Sequence, residues 1–159
     1  MNDTRLGIYL NDHLALIVGE LELAARCEAS NRDSPLGTFL RHLTAEVEGQ
    51  KEIVGDVLQR LGAGESYMKQ GAAWFAEKLG RLKLNDSLVS YSELSRLIEL
   101  EALSAAAQER MALWETLNVI TEQDKRFDGI VFSYFRDQAQ SHLAELGVRR
   151  RFAATEAFQ

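Results

Sequence analysis

Proline is almost absent from this 159-residue chain, in which Pro35 is the only one. Because proline interrupts helices more strongly than any other residue, its scarcity favours long, unbroken helices. Cysteine is equally scarce, and Cys27 has no second cysteine with which to form an internal disulfide. It lies on an apolar helical stripe, where we expect a small buried hydrophobic side chain. The length fits one domain, residues 1–159, with a core that needs no metal or disulfide.

Excess positive charge and long apolar runs are also missing. The formal net charge is −6, which argues against nonspecific nucleic-acid binding, because that binding depends on Lys and Arg neutralising phosphate. No apolar run approaches the roughly 20 residues that a transmembrane helix needs. The first residues lead into an amphipathic pattern rather than a signal peptide. We therefore expect a cytoplasmic protein with no nucleic-acid or membrane partner.

The chain does contain apolar residues at helical spacing, in five segments, and no segment that is typical of a strand. The predicted helices are Leu6–Ala29, Pro35–Leu61, Ser66–Leu84, Ser92–Asn118 and Glu122–Ala154. The second begins with Ser34 as its N-cap and Pro35 at its first position. The pattern predicts an all-α, antiparallel four-helix bundle, built from two long helical hairpins with an additional short connecting helix.

Polar residues interrupt the faces of these helices that should be apolar. They are His13 in the first helix, Glu46 and Gln50 in the second, Glu101 in the fourth and His142 at the margin of the fifth. Buried charges are costly unless they are paired or bound to a cation. Because hard metal ions accept carboxylate, amide and imidazole ligands, these five residues form the candidate metal site.

Helix register provides a second reason to group these residues. If the first hairpin turns near Arg32, His13 lies level with Gln50 and within about one turn of Glu46. If the second hairpin turns near Thr121, Glu101 lies level with His142. A polar layer at mid-height of the bundle is therefore predicted.

Other polar and aromatic residues are assigned structural positions. Glu20 lies on the same series as His13, toward the core or its edge, and is interpreted as a flank residue of the first helix. Glu99 is assigned to a solvated face. Trp74 and Trp114 are interpreted as apolar anchors of the core or of a dimer interface, and a homodimer is the expected assembly. The inner stripe of the fifth helix is predicted to comprise Phe127, Ile130 or Val131, Tyr134, Gln138, Ser141 and Glu145.

Two short segments carry a family resemblance. The segment His42-Leu43-Thr44-Ala45-Glu46-Val47-Glu48-Gly49-Gln50 is similar to a signature of the YciE/YciF-type bacterial stress-associated proteins, a His followed by Glu-x-x-x-Gln. The segment Ile8–Asp12 resembles their opening helix, in which an acid follows a Tyr by three residues. The resemblance implies membership of the ferritin-like superfamily, a stress-related role, and iron or manganese as the candidate metals.

The chain departs from the di-iron pattern of ferritin-like oxidases, which takes a Glu from each of two helices and Glu-x-x-His from each of the other two. No Glu-x-x-His occurs, since Gly49 and Ser104 stand where a His would follow Glu46 and Glu101.

Three functions remain open. The first is a non-catalytic ferritin-like protein with a degenerate or weak metal site. The second is an iron- or manganese-dependent oxidase or ferroxidase that uses Glu46, Glu101, His13 and His142. The third is a purely structural, dimerising helical protein.

Overall fold

The computed structural model describes residues 1–62 and 91–159, which are helical almost throughout. The helices are α1 (Asp3–Ser30), α2 (Pro35–Arg60), α3 (Glu93–Ile120) and α4 (Phe132–Ala157), with a short 3-10 helix at Lys125–Phe127. Within these two ranges there is no strand, so the all-α prediction is confirmed. The predicted short helix Ser66–Leu84, with Trp74, lies outside the described residues. None of the described helices combines the length and apolarity needed to cross a membrane.

Local chemistry explains where the first three helices begin. Asn2, Ser34 and Ser92 each accept a hydrogen bond from the backbone N–H three residues later. Each side-chain oxygen thereby satisfies an N–H that has no partner inside its helix. Pro35, which lacks an N–H, occupies the first turn of α2.

Contacts between the helices pair residues in opposite order. Between α1 and α3, Glu20 bonds Arg110 whereas the later residue Arg26 bonds the earlier residue Glu99. These two helices therefore run in opposite directions.

The other neighbouring pairs follow the same rule. In α2 and α4, Glu46 contacts His142, while Gln50 contacts the earlier residue Gln138. The hairpins α1–α2 and α3–α4 bring consecutive helices together in the same way. It follows that α2 and α3 point in the same direction.

The core between the helices is mostly aliphatic. Its largest fully buried side chains include Leu10, Ile17, Leu40, Leu43, Leu103, Leu117 and Leu146. Trp114 is fully buried and packs against the rings of Phe132 and Phe135, with centroid distances of 6.1 and 5.0 Å. Trp114 is therefore a core residue, and it offers no surface to a dimer interface. Cys27 is fully buried, as predicted.

The first hairpin turns later in the sequence than expected. Glu28 of α1 pairs with Arg41 of α2, and Gly37 packs under the backbone of Asn31, where a Cβ would lie 2.3 Å from the carbonyl oxygen. The turn is thus centred near Ser34 rather than near Arg32. Because of this shift, Gln50 is not level with His13.

The second hairpin also turns later, because α4 does not begin at Glu122. Asp124 caps the 3-10 helix, and Gly129 has a φ of 89°, a left-handed conformation that ends the helical path before Phe132. The predicted start of this helix was wrong.

The same shift changes which residues face each other across the second hairpin. Arg96 near the start of α3 pairs with Glu156 near the end of α4. Glu101 consequently faces Arg150 rather than His142.

The predicted inner stripe of the last helix was wrong at Tyr134, Ser141 and Glu145, whereas Phe127 is buried and Gln138 bonds the buried Gln50. Phe132 and Phe135, rather than Tyr134, pack against Trp114. The buried residues of α4 are Phe132, Ala139, His142, Leu146 and Ala153, while Tyr134, Ser141 and Glu145 are exposed. His142, assigned to the margin of the stripe, is central to the buried face.

Candidate functional site

A buried arginine occupies the middle of the bundle. The side chain of Arg110 is 2% exposed, and that of Glu20 is 1% exposed. Arg110 donates from Nε to Oε2 of Glu20 at 2.6 Å and from Nη2 to Oε1 at 2.9 Å. This fork satisfies both carboxylate oxygens and joins α3 to α1 through two charge-assisted hydrogen bonds. Burial raises the pKa of Glu20 above its ordinary value, and the positive charge of Arg110 counteracts part of this effect.

Gln50 of α2 completes the coordination of the guanidinium. Its Oε1 accepts hydrogen bonds from Nη1 of Arg110 at 2.9 Å and from Nε1 of Trp114 at 2.8 Å. Its Nε2 donates to Oε1 of Gln138 at 2.6 Å. Because Arg and Trp can only donate, the orientation of the Gln50 amide follows from its partners.

His142 of α4 bonds the same guanidinium from another side. Nη2 of Arg110 lies 3.3 Å from Nδ1 of His142, and Nε2 of His142 lies 2.5 Å from Oε2 of Glu46. Since Arg110 has no acceptor, Nδ1 must accept, and the ring proton must lie on Nε2 and point to Glu46. This arrangement requires a neutral imidazole. Burial, followed by the positive charge of Arg110, lowers the pKa of His142, against an opposing effect of Glu46.

These residues form a continuous layer, which we call the Arg110 layer and define as Glu20, Gln50, Arg110 and His142 with Glu46 at its outer edge. Four helices contribute to it. The side chain of Glu46 is 48% exposed, whereas that of His142 is 7% exposed. The layer therefore runs from a buried ion pair to solvent on the α2–α4 side.

Of the five predicted site residues, the structure brings three into this layer and leaves two outside. Glu46, Gln50 and His142 belong to it. Glu101 is exposed, and its carboxylate lies 3.8 Å from Arg150. His13 is buried and packs edge-on against Tyr9, with a ring-centroid distance of 4.4 Å. The predicted convergence of Glu101 and His13 with the other three was wrong, because both hairpins turn later than assumed.

Sequence reasoning did not single out Arg110, and it left Glu20 outside the predicted site. Arg110 follows Leu103 and Ala107 and precedes Trp114 and Leu117 at steps of three and four, which places it on the apolar face of α3. A search for acids and histidines overlooks an arginine in this position. The assignment of Glu20 to a helix flank was wrong, since it faces the guanidinium.

A second polar cluster closes the end of the bundle near the start of α3. Glu99, which the sequence assigned to a solvated face, is buried and accepts from Nε of Arg26 at 3.0 Å and from the Tyr91 hydroxyl at 3.2 Å. The amide of Asn31 donates to the same hydroxyl at 2.7 Å. Through these hydrogen bonds Tyr91 links the beginning of α3 to the end of α1. Burial raises the pKa of the nearby Cys27 thiol to about 12.

The donor set of the Arg110 layer does not fit a di-iron centre. Both oxygens of Glu20 and Nδ1 of His142 already bind a guanidinium, which supplies the positive charge that metal ions would supply. Among the residues that the structure describes, no three His, Cys, Asp or Glu side chains are grouped so as to hold a metal ion.

Comparison of the chain with models of known protein families, with curated proteins and with solved structures finds no match in any of the three.

Proposed function

We propose that this chain is a non-catalytic, ferritin-like bundle protein in which an arginine-centred ion-pair layer stands where ferritin-like oxidases hold a metal centre. The observation that carries the proposal is the buried fork of Arg110 on Glu20, with Gln50 and His142 on the remaining sides of the guanidinium. A cation fixed at this point repels a second cation and occupies the lone pairs that would bind it.

The direction of the helices supports the ferritin-like part of the proposal. Helices α1 and α4 point one way and α2 and α3 the other, and a single long connection joins the two hairpins. Ferritin-like bundles are built with one such crossover, whereas simple up-and-down bundles have none. The placement of Glu46 and Gln50 from the YciE/YciF-like signature in the central layer is compatible with this assignment. A stress-related role would follow from that resemblance alone.

We also propose that the chain forms a homodimer. Three large apolar side chains of α4 face solvent along one stripe, Tyr134, Val148 and Phe152, and Val131 just before the helix is exposed as well. A second copy of the chain would cover such a stripe. Light scattering of the wild type against Phe152→Glu tests this assembly, and loss of the dimer in the variant is the expected result.

Metal analysis tests the proposed absence of an internal centre. Protein is incubated with iron(II) without oxygen, and separately with manganese(II), then desalted and analysed for bound metal and for thermal unfolding. We expect well under one ion per chain and no rise in Tm, since a ligand bound at 100 times its Kd would add about 2.7 kcal/mol of stability.

A matched pair of variants makes the result decisive. Glu46→Ala changes the outer edge of the Arg110 layer, whereas Glu101→Ala changes an exposed acid outside it. At least one ion per chain in the wild type that is lost in Glu46→Ala and retained in Glu101→Ala would overturn the proposal, because it would show a metal site in the Arg110 layer.

A further inference from the structure

The face of α4 that points away from the core has the residue spacing of a helix-packing seam. Asp137, Ser141, Ala144, Val148 and Arg151 follow one another at steps of four and three, and all five are exposed in the described structure. The buried residues of α4 lie on the opposite side of the helix. Alternating steps of four and three keep side chains in one row, which is how the helices of a coiled coil present their contact residues to each other. The row is therefore suited to packing against a second helix.

We propose that a second copy of the chain packs on this face, with the two α4 helices antiparallel about a two-fold axis level with residues 142 and 143. The geometry rests on the homodimer proposed above, and it specifies the face, the direction and the register of that dimer. In a two-fold contact each residue faces one partner residue, and the relation is reciprocal. With the axis at this level, the numbers of two facing residues add up to about 285.

Small side chains lie where the two helices would cross. Ser141 of one copy faces Ala144 of the partner, and the same contact recurs on the other side of the axis. Both residues are exposed. Serine and alanine at the crossing permit an interaxial distance near 8 Å, the lower end of the range for packed helices. The centre of the face therefore allows close approach of a second α4.

Two exposed aromatic rings lie at the ends of the same contact. Tyr134 is 59% exposed and Phe152 is 67% exposed. They are 18 residues apart, which is five full turns, so they lie on the same side of α4. The antiparallel register places Tyr134 of each copy against Phe152 of the partner. Aromatic pairs of this kind stabilise a contact beyond the area that they bury.

The charges of the face favour the same register. Asp137 near the start of α4 has a side chain that is 62% exposed and contacts the neighbouring Arg136. Near the other end, the guanidinium of Arg151 lies back along the helix, since its Nη1 is 3.6 Å from the point where a Cβ of Gly147 would lie. A charge level with Gly147 faces residue 138 of the partner, one position from Asp137. Each copy thus offers an acid to the base of the other.

The same charges select the direction of packing. In a parallel arrangement Asp137 would face Asp137 of the partner, and Arg151 would face Arg151 of the partner. In the antiparallel arrangement both contacts join opposite charges. Like charges that are brought together across an interface suppress that mode of association.

Charge reversal tests the contact in the full-length protein. Asp137→Arg and Arg151→Asp each replace two attractive contacts per dimer with two repulsive ones, and we expect each to raise the Kd of the dimer at least about ten-fold. The double variant restores opposite charges and should return the Kd to within about three-fold of the wild type. Sedimentation velocity measures the Kd, and circular dichroism checks that each variant is folded. Asp12→Arg, at an exposed acid of α1, is the control and should leave the Kd unchanged.

Rescue by the double variant cannot arise within one chain, because residues 137 and 151 are about 21 Å apart along the same helix. A double variant as weak as or weaker than the single variants would overturn the antiparallel register. A wild-type dimer whose Kd is insensitive to both single variants would show that another surface forms the dimer, which contradicts this geometry and leaves the homodimer intact. A monomeric wild type would overturn both proposals.

A spin-label distance gives an independent measure of direction. A nitroxide on Thr155→Cys lies about 12 residues from the axis, so two labels in the antiparallel dimer should be about 40 Å apart, whereas a parallel dimer would bring them within about 20 Å. Wild-type protein treated with the same reagent is the control, since Cys27 is fully buried and should take up no label. A short distance between the labels at position 155 would contradict the antiparallel packing.

Discussion

Arg110 binds both carboxylate oxygens of Glu20 across the α1–α3 interface, and almost no part of either side chain reaches solvent. The two charges therefore stabilise the bundle only when both are present. Each charge alone would be buried without compensation, which is far more costly than the net contribution of the intact contact.

Removal of one partner should accordingly be severe. We expect Glu20→Leu or Arg110→Met to lower the free energy of unfolding by about 3–5 kcal/mol, measured by urea denaturation at pH 7.5. The double variant should lose much less than the sum of the two, since neither charge remains. Arg41→Ala, which breaks the exposed pair with Glu28, is the control and should change stability by less than about 1 kcal/mol. Additive losses in the double variant would contradict the coupling.

The amide of Gln50 is the second stability determinant of the layer. Gln50→Leu removes the acceptor shared by Arg110 and Trp114 and leaves two buried donors unsatisfied. We expect a loss of roughly 3 kcal/mol, because each unsatisfied buried group costs about 1–3 kcal/mol. Gln138→Leu removes only the outer partner of the Gln50 amide and should lose less than half as much. Equal losses in the two urea titrations would argue against the shared acceptor.

Acid should weaken the folded chain through its buried histidines. Burial lowers the pKa values of His142 and His13 below their ordinary value of 6.5. The unfolded chain then binds protons at a higher pH than the folded chain, so the stability due to the neutral rings is complete above pH 6.5 and is lost as pH falls through the folded pKa values. The loss reaches about 1.4 kcal/mol per pH unit for each proton.

Variants separate the contribution of His142 from other effects of acid. Urea midpoints at pH 7.5 and pH 5.5 are compared for the wild type, His142→Gln and His42→Gln. Arg110 of α3 and Glu46 of α2 are the charged groups that contact His142, and both remain in each variant. We expect a smaller pH difference in His142→Gln and an unchanged one in His42→Gln, which alters an exposed residue. The same pH difference in all three proteins would contradict a neutral His142.

Two glycines of α2 should respond to alanine with opposite signs. At Gly37 a Cβ would lie 2.3 Å from the backbone oxygen of Asn31, so the loop must move. At Gly49 a Cβ would meet nothing within 4 Å. We expect Gly37→Ala to destabilise the chain by at least about 2 kcal/mol and Gly49→Ala to stabilise it by about 0.5–1 kcal/mol, measured by thermal unfolding. A neutral Gly37→Ala would contradict the close approach at the first hairpin.

The single thiol should be unreactive in the folded chain. Cys27 is fully buried, and burial raises its pKa to about 12, so the reactive thiolate is scarce at pH 8. We expect reaction with Ellman's reagent at pH 8 to be at least roughly 100-fold slower in buffer than in 6 M guanidinium chloride. A rapid reaction of the native protein would show that this end of the bundle opens readily.

The helices themselves were predictable because their signals are local. Apolar spacing and the N-caps Ser34 and Ser92 depend only on neighbouring residues, and the starts of α2 and α3 fall within one residue of the prediction. The start of α4 was not predictable in this way. The stretch before Phe132 has helix-compatible composition, and only the 3-10 helix and the left-handed Gly129 separate it from α4.

The site was predictable in part for the same reason. Glu46 and Gln50 lie on one helix face, and their spacing alone places them at neighbouring heights. Bringing Glu101 and His13 to that level required the exact turn of each hairpin, and an error of a few residues in a turn moves a side chain by about a helical turn. The central Arg110 was available as a polar interruption of an apolar stripe, but only its pairing with Glu20 reveals its role.

The mid-length position of this ion pair has a consequence for how the two hairpins fit together. Surfaces composed of leucine and alanine can slide past each other by one turn with little change in buried area. In this bundle a shift of α1 along α3 would leave the charges of Glu20 and Arg110 unpaired among aliphatic side chains. The pair therefore fixes the axial register of the two hairpins and disfavours the registers that differ from it by one helical turn.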